Sequence, residues 1–151
     1  MRFLLSQNLQ SQIPNGMLKV FVYGTLKPGE VNYPRYCAGK VVQAKRAYTY
    51  GKLFSLPLGY PAMTTGNNHV HGYLLLFADS NILFSLDQLE DYDSTRPAAE
   101  NEYNRQQIEI YALQGHPLGQ TWAYLMTINQ VYQMGGILQA DGWWSSCGNK
   151  C

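Results

Sequence analysis

The stretch Val20-Phe21-Val22-Tyr23-Gly24-Thr25-Leu26-Lys27-Pro28-Gly29 sets the tightest limit on what this chain can fold into. Val, Phe and Tyr in a short apolar run suit a pleated, packed surface, so the run reads as a buried strand from Leu18 to Tyr23. Gly24 then either permits a backbone geometry that a Cβ would forbid or lets another part of the chain approach closely. Pro28-Gly29 marks a turn. The product is a rigid strand that delivers a short loop with several free backbone N–H groups. Such a loop is either an ordinary strand exit or a concave nest for a carboxylate or phosphate.

The rest of the chain supplies more strands than helices. Val41-Val42 and Tyr48 to Phe54 read as short strands. Leu56 to Asn68, with Pro57, Gly59, Pro61 and Gly66, reads as loop. Val70 to Phe77 is a strong strand, and Gly72 inside it suggests a bulge or a close approach. Gln107 to Leu113 and Thr121 to Thr127 alternate and pair as a hairpin across Gly115-His116-Pro117-Leu118-Gly119. Asp79-Ser80 suits a helix N-cap, with a helix from about Asn81 to Tyr92 and a short helical piece over Ile128 to Met134. About six strands without βαβ alternation predict an α+β fold, a small mixed or antiparallel barrel with one main flanking helix. Asp93 to Asn104 reads as an exposed loop. Residues 1–16 read as a flexible leader, 17–144 as one domain and 145–151 as a tail.

Composition narrows the function classes. With 46% hydrophobic and 14% charged residues the chain is globular and ordered, and a formal net charge of +1 gives no electrostatic footprint for nucleic acid or an anionic membrane. Twelve tyrosines favour strands and a pocket with amphipathic walls. Cys37, Cys147 and Cys151 are an odd, sparse set. They suggest a reduced, cytoplasmic setting without a structural disulfide. His69, His71 and His116 lack the neighbours that a metal site needs. Cys37 has no local partner that would make it a nucleophile. The glycines match neither a P-loop nor a dinucleotide fingerprint.

The main helix carries the most informative residue. At about 100° per residue, Ile82, Leu83, Leu86 and Leu89 form one apolar stripe. Glu90 falls roughly 50° from the centre of that stripe, on its apolar side. Asp87 lies further round and Asp91 points nearly opposite. A carboxylate on a core-facing stripe must be paired, solvated by a cavity or raised in pKa, and a raised carboxyl in a pocket suits acid/base work. The other reading places Glu90 at a frayed helix end, in contact with water.

Taken together these blocks resemble the γ-glutamylcyclotransferase-like family, in its γ-glutamylamine cyclotransferase and avirulence-induced-gene-like branch. The resemblance rests on Val20 to Gly29 with Asn32, on Gly51-Lys52-Leu53-Phe54 with Gly59-Tyr60-Pro61-Ala62, and on Val70-His71-Gly72-Tyr73-Leu74. It continues through Leu86-Asp87-Gln88-Leu89-Glu90-Asp91-Tyr92, Tyr103-Asn104-Arg105 and Thr121-Trp122-Ala123-Tyr124. The departures are Asp91, where a glycine is common, and a longer loop between Tyr92 and Tyr103.

The resemblance implies a small barrel flanked by helices. It also implies a reaction in which the α-amine of a γ-glutamyl group attacks its own γ-carbonyl, releasing 5-oxoproline and a free amine. It makes Glu90 the general acid/base and places the glutamyl group at Tyr23, Gly24, Thr25 and Leu26, with Tyr103 and Tyr124 as walls. It calls for no metal, nucleotide or other cofactor, and for a monomer or homodimer that meets a small molecule rather than nucleic acid or membrane. The alternative is a non-catalytic module that binds a γ-glutamyl or amino-acid-like ligand in the same cavity. Nothing in the sequence chooses the amine attached to the γ-glutamyl group. The loop from Asp93 to Asn104 is the expected place for that choice.

Overall fold

The computed structural model describes residues 17–147. Strand β1 (Leu18–Val22) is followed by a one-turn helix, α1 (Tyr33–Tyr36), and two long strands, β2 (Val41–Ser55) and β3 (Pro61–Phe77). Helix α2 (Ile82–Leu89) precedes the hairpin β4 (Asn104–Ala112) and β5 (Pro117–Leu125), then α3 (Ile128–Gln133) and the short β6 (Ile137–Leu138). The sheet runs β3-β1-β5-β4-β2-β6, and an added β2–β3 pairing closes the first five strands into a barrel with β6 outside the ring. All ladders are antiparallel except β1 with β5, which is parallel. The expected α+β barrel of about six strands is thus a closed mixed barrel of five with one added strand. Among the described residues no helix is long and apolar enough to cross a membrane.

β1 is an unbroken apolar run because both of its faces are covered. Val20 and Val22 join one cluster with Leu75, Phe77, Leu86 of α2 and Val131 of α3. Phe21 and Tyr23 join a second, with Ala47, Val70, Ile110 and Ala123, drawn from all five barrel strands and filling the barrel. Gly72 is where β3 crosses β1 most closely: a Cβ there would lie 2.1 Å from the carbonyl oxygen of Val22.

The β2–β3 ribbon corrects the sequence reading most. Val41-Val42 and Tyr48 to Phe54 belong to one strand, and most of Leu56 to Asn68, expected as loop, lies within β3. The turn occupies only residues 56–60, with Gly59 at φ +97°. Pro61 opens the strand, where a missing N–H is tolerated, and the polar stretch Thr65 to His69 stays outside the core. Thr65, Gly66 and Asn67 bulge out where the register jumps from Lys52–Thr64 to Gly51–Asn68, and pairing with β2 resumes at Asn68 and His69. The expected hairpin is present, from Asn104 opposite Leu125 to Tyr111 opposite Pro117.

Helix α2 is shorter than expected, and its N-cap is Asn81 rather than Asp79-Ser80; the Asp79 carboxylate instead accepts the Asn81 N–H at 2.9 Å. The short helical piece is α3, closed by a capping box of Thr127 and Gln130. Of the loop expected to be exposed, Asn101 and Tyr103 are buried. The expected leader, 1–16, lies outside the described residues, as do residues 148–151 of the expected tail. Cys37 is free and buried, whereas Cys147 is disulfide-bonded, which corrects the expectation of no disulfide.

Candidate active site

Where β1 ends, the chain bends into a tight loop held by its own backbone. Lys27 N–H donates to the Gly24 carbonyl at 3.0 Å, and Asn32 N–H to the Thr25 carbonyl at 2.9 Å. The Asn32 side chain also donates to Thr25 Oγ1 at 3.0 Å. Gly24 is needed for close approach rather than for an unusual φ, since a Cβ there would lie 2.7 Å from Pro61 Cγ. The N–H groups of Gly24, Thr25 and Leu26 meet no acceptor among the described residues, so the loop keeps the character of a nest. Its far side is pinned by Lys27, a fully buried lysine. Its ammonium lies 3.6 Å from the centre of the Trp143 ring and donates to the Trp144 carbonyl.

The loop forms one wall of a cavity of about 220 Å³, completed by Tyr60, Pro61, Leu89, Glu90, Glu102, Tyr103 and Tyr124. That volume suits a small, amino-acid-sized group rather than a drug-sized ligand. Three buried tyrosines shape it, each with its hydroxyl committed. Tyr23 donates to the Tyr124 carbonyl at 2.6 Å and accepts the Met63 N–H at 3.1 Å. Tyr103 donates to the Pro61 carbonyl at 2.6 Å, and Tyr124 to Asp87 Oδ1 at 2.7 Å. Asp87 Oδ1 also lies 3.3 Å from Nε of Arg105, whose guanidinium stacks on Trp122 at 4.4 Å. Burial above all pushes the three phenols far above their ordinary range, helped next by Glu90 at Tyr23, by Tyr23 at Tyr103 and by the hydrogen bond to Asp87 at Tyr124. They are neutral walls, not acids or bases.

Glu90 differs from everything around it. It is the C-cap of α2, half-buried on the cavity wall, and no hydrogen bond or ion pair among the described residues engages its carboxylate. Burial, and then the negative charge of Glu102, raise it from 4.5 to about 8. The helix end that carries it is not frayed. Tyr92 N–H returns to the Asp87 carbonyl at 2.9 Å and Asp91 N–H to the Gln88 carbonyl at 3.3 Å, the two bonds of a Schellman motif.

Asp91 takes the left-handed position of that motif, at φ +55°, which is why a glycine suits it. Arg96 steadies it, at 3.2 Å from its carboxylate and 2.9 Å from its carbonyl. A non-glycine residue in this region costs about 1 kcal/mol, and an exposed ion pair returns less than that. Asp91→Gly is therefore expected to stabilise the protein by about 0.5–1 kcal/mol in urea denaturation, without moving Glu90.

The structure brings Tyr23, Gly24, Thr25, Leu26, Glu90, Tyr103 and Tyr124 together around one cavity. His69 and His71 stand in β3, stacked about Tyr48 at 4.4 and 5.8 Å, away from it. Sequence reasoning missed Tyr60, Glu102, Asp87, Arg105 and the Lys27–Trp143 contact, because each depends on partners distant in the chain. The sequence model of the gamma-glutamyl cyclotransferase, AIG2-like family matches residues 20–146. The chain belongs to that family.

Its relatives agree with the geometry. A Vibrio cholerae protein, provisionally named a gamma-glutamylcyclotransferase, is 29% identical over 124 residues, covering 82% of this chain and 93% of its own length. The gamma-L-glutamyl-butirosin B gamma-glutamyl cyclotransferase of Niallia circulans is 30% identical over 108 residues, with 72% of this chain and 67% of that protein covered. The crystal structure of a mouse AIG2-like protein superposes with a TM-score of 0.63 at 23% identity, covering 87% of this chain and 90% of the other. That likeness establishes the shared fold. The family's name points to small γ-glutamyl compounds as its substrate class.

Proposed function

We propose that this chain releases 5-oxoproline from a γ-glutamyl compound, with Glu90 as the general acid/base. The observation that carries the reading is a half-buried carboxylate, raised to about 8, that has no partner among the described residues and shares its cavity with a loop whose N–H groups meet no acceptor among them. In a non-catalytic module such a carboxylate would cost stability and return nothing.

The chemistry follows from the arrangement. Nucleophile and electrophile belong to one molecule, so the cavity has mainly to hold a folded, near-attack conformer. The nest at Gly24 to Leu26 receives either the substrate α-carboxylate or the oxygen that gains charge as the γ-carbonyl is attacked. Glu90, as carboxylate, takes a proton from the α-ammonium. The freed nitrogen bonds to the γ-carbon. Glu90 hands its proton to the departing amine as the old C–N bond breaks, then takes the second proton from the ring nitrogen. The amine carries that proton away, so charge and atoms balance.

The test is release of 5-oxoproline from a panel of γ-glutamyl-amino acids, γ-glutamyl-ε-lysine and γ-glutamyl-amines. At least one member is expected to turn over. The active form in the free protein is the carboxylate, so kcat/KM is expected to rise with pH through about 8. A panel that binds but yields no 5-oxoproline at any pH would overturn the catalytic reading and leave the binding module.

A further inference from the structure

Glu102 is a second carboxylate on the wall of the same cavity, and the chain holds it in place from both sides. Its neighbours Asn101 and Tyr103 are 2% and 4% exposed. Asn101 accepts the Asp93 N–H at 3.0 Å through its side chain and the Gln130 side-chain amide at 2.7 Å through its carbonyl. Tyr103 is fixed to Pro61. Between these anchors the Glu102 N–H donates to the Asp91 carbonyl at 3.2 Å. Its Oε2 accepts the Tyr60 hydroxyl at 2.6 Å, and no hydrogen bond among the described residues engages its other oxygen.

The charges around this pair are lopsided. Among the described residues the titratable side chains that line the cavity are Glu90, Glu102 and the hydroxyls of Tyr23, Tyr60, Tyr103 and Tyr124, with no lysine or arginine. Glu102 bears on Glu90 and on the Tyr60 and Tyr103 hydroxyls. Two carboxylates in a cavity of about 220 Å³ without a cation repel each other. A ligand that brings a positive charge relieves that repulsion and gains a charge-assisted hydrogen bond.

We propose that Glu102, held by Tyr60, docks the α-ammonium of the substrate, so that the cavity selects γ-glutamyl compounds whose α-amine is free. The inference rests on the γ-glutamyl reading above. It divides the labour of the two carboxylates. Glu102 holds the ammonium, while Glu90 moves the protons. The zwitterionic head of the substrate then lies between the nest at Gly24 to Leu26 and the carboxylate of Glu102.

The test separates the two claims. Binding is measured by calorimetry in a Glu90→Gln background, which prevents turnover, with γ-L-glutamyl-n-butylamide and its des-amino analogue, glutaric acid mono-n-butylamide. The single variant is expected to prefer the amine-bearing compound by about tenfold or more. Adding Glu102→Gln is expected to erase that preference while leaving affinity for the des-amino compound unchanged. In the protein with Glu90 intact, Glu102→Gln is expected to raise KM and to shift the rise of kcat/KM to lower pH, since the charge that lifts Glu90 is gone. If both variants show the same preference, or the pH profile stays in place, Glu102 has no such role although the γ-glutamyl reading stands. If the single variant binds neither compound while Glu90-intact protein is equally inert, the γ-glutamyl reading fails and this inference fails with it.

Discussion

Glu90→Gln is expected to lower kcat for 5-oxoproline release by about 10²–10⁴-fold, the usual worth of a positioned acid/base, with KM changed by no more than a few-fold. Glutamine fills the same space on the cavity wall and breaks no contact, because no described residue bonds to the Glu90 carboxylate. What it lacks is a proton to move. A second readout is independent of substrate. Between about 4.5 and about 8 the native carboxyl keeps a proton that the unfolded chain has released. Native stability therefore falls as pH rises through that window, by at most about 1.4 kcal/mol per pH unit. The glutamine variant is expected to flatten that slope and to be more stable than the parent near pH 8. Urea denaturation at pH 5 and pH 8 measures it, and parallel slopes in the two proteins would remove Glu90 from the account.

Gly72→Ala is expected to destabilise the fold by more than about 3 kcal/mol, a large share of the 5–15 kcal/mol that holds a domain together. The added Cβ would fall 2.1 Å from the Val22 carbonyl oxygen and 3.0 Å from its carbon. Both are backbone atoms of the central strand, so no rotamer change relieves the clash. Separating β3 from β1 would break the ladder from Leu18–Phe77 to Val22–Tyr73 and displace the loop that β1 delivers to the cavity. Gly29→Ala makes the contrast. Its φ of +91° strains an alanine, but nothing lies within 4 Å of the new Cβ, and the cost expected is about 1 kcal/mol. Equal midpoints for the two variants in denaturant would mean that β1 and β3 do not meet as described.

The parts legible in the sequence are those encoded locally. Val20 to Gly24 announces a buried strand and a loop, and the stripe Ile82, Leu83, Leu86, Leu89 announces a helix with Glu90 on its apolar side, although only the fold decides between a cavity-facing Glu90 and a frayed end. What stayed hidden depends on pairing at a distance. Pro61, Gly66 and the two asparagines after it read as loop because their residue types favour turns. In the ribbon Pro61 and Asn68 pair with Ser55 and Gly51 of β2, and Gly66 and Asn67 sit in the bulge between, so a turn-like composition is carried inside one long strand. Glu102 gave no signal, because its meaning comes from Tyr60 and from the cavity rather than from its neighbours. Asp87 read as a residue off the apolar stripe. Only the fold shows that Tyr124 and Arg105 meet on it.

The buried contact of Lys27 with Trp143 and Trp144 has a consequence for how the protein is made. During synthesis the nest-bearing loop leaves the ribosome early, but the residues that clamp it follow some hundred positions later. β1 likewise waits for Trp122 of its parallel partner β5. Loop closure over such separations is slow, so the first strand can pair with β3 on one edge well before β5 is available to cover the other. The wall of the cavity that this loop forms is therefore completed late, when the segment around Trp143 and Trp144 is free to seat itself against Lys27.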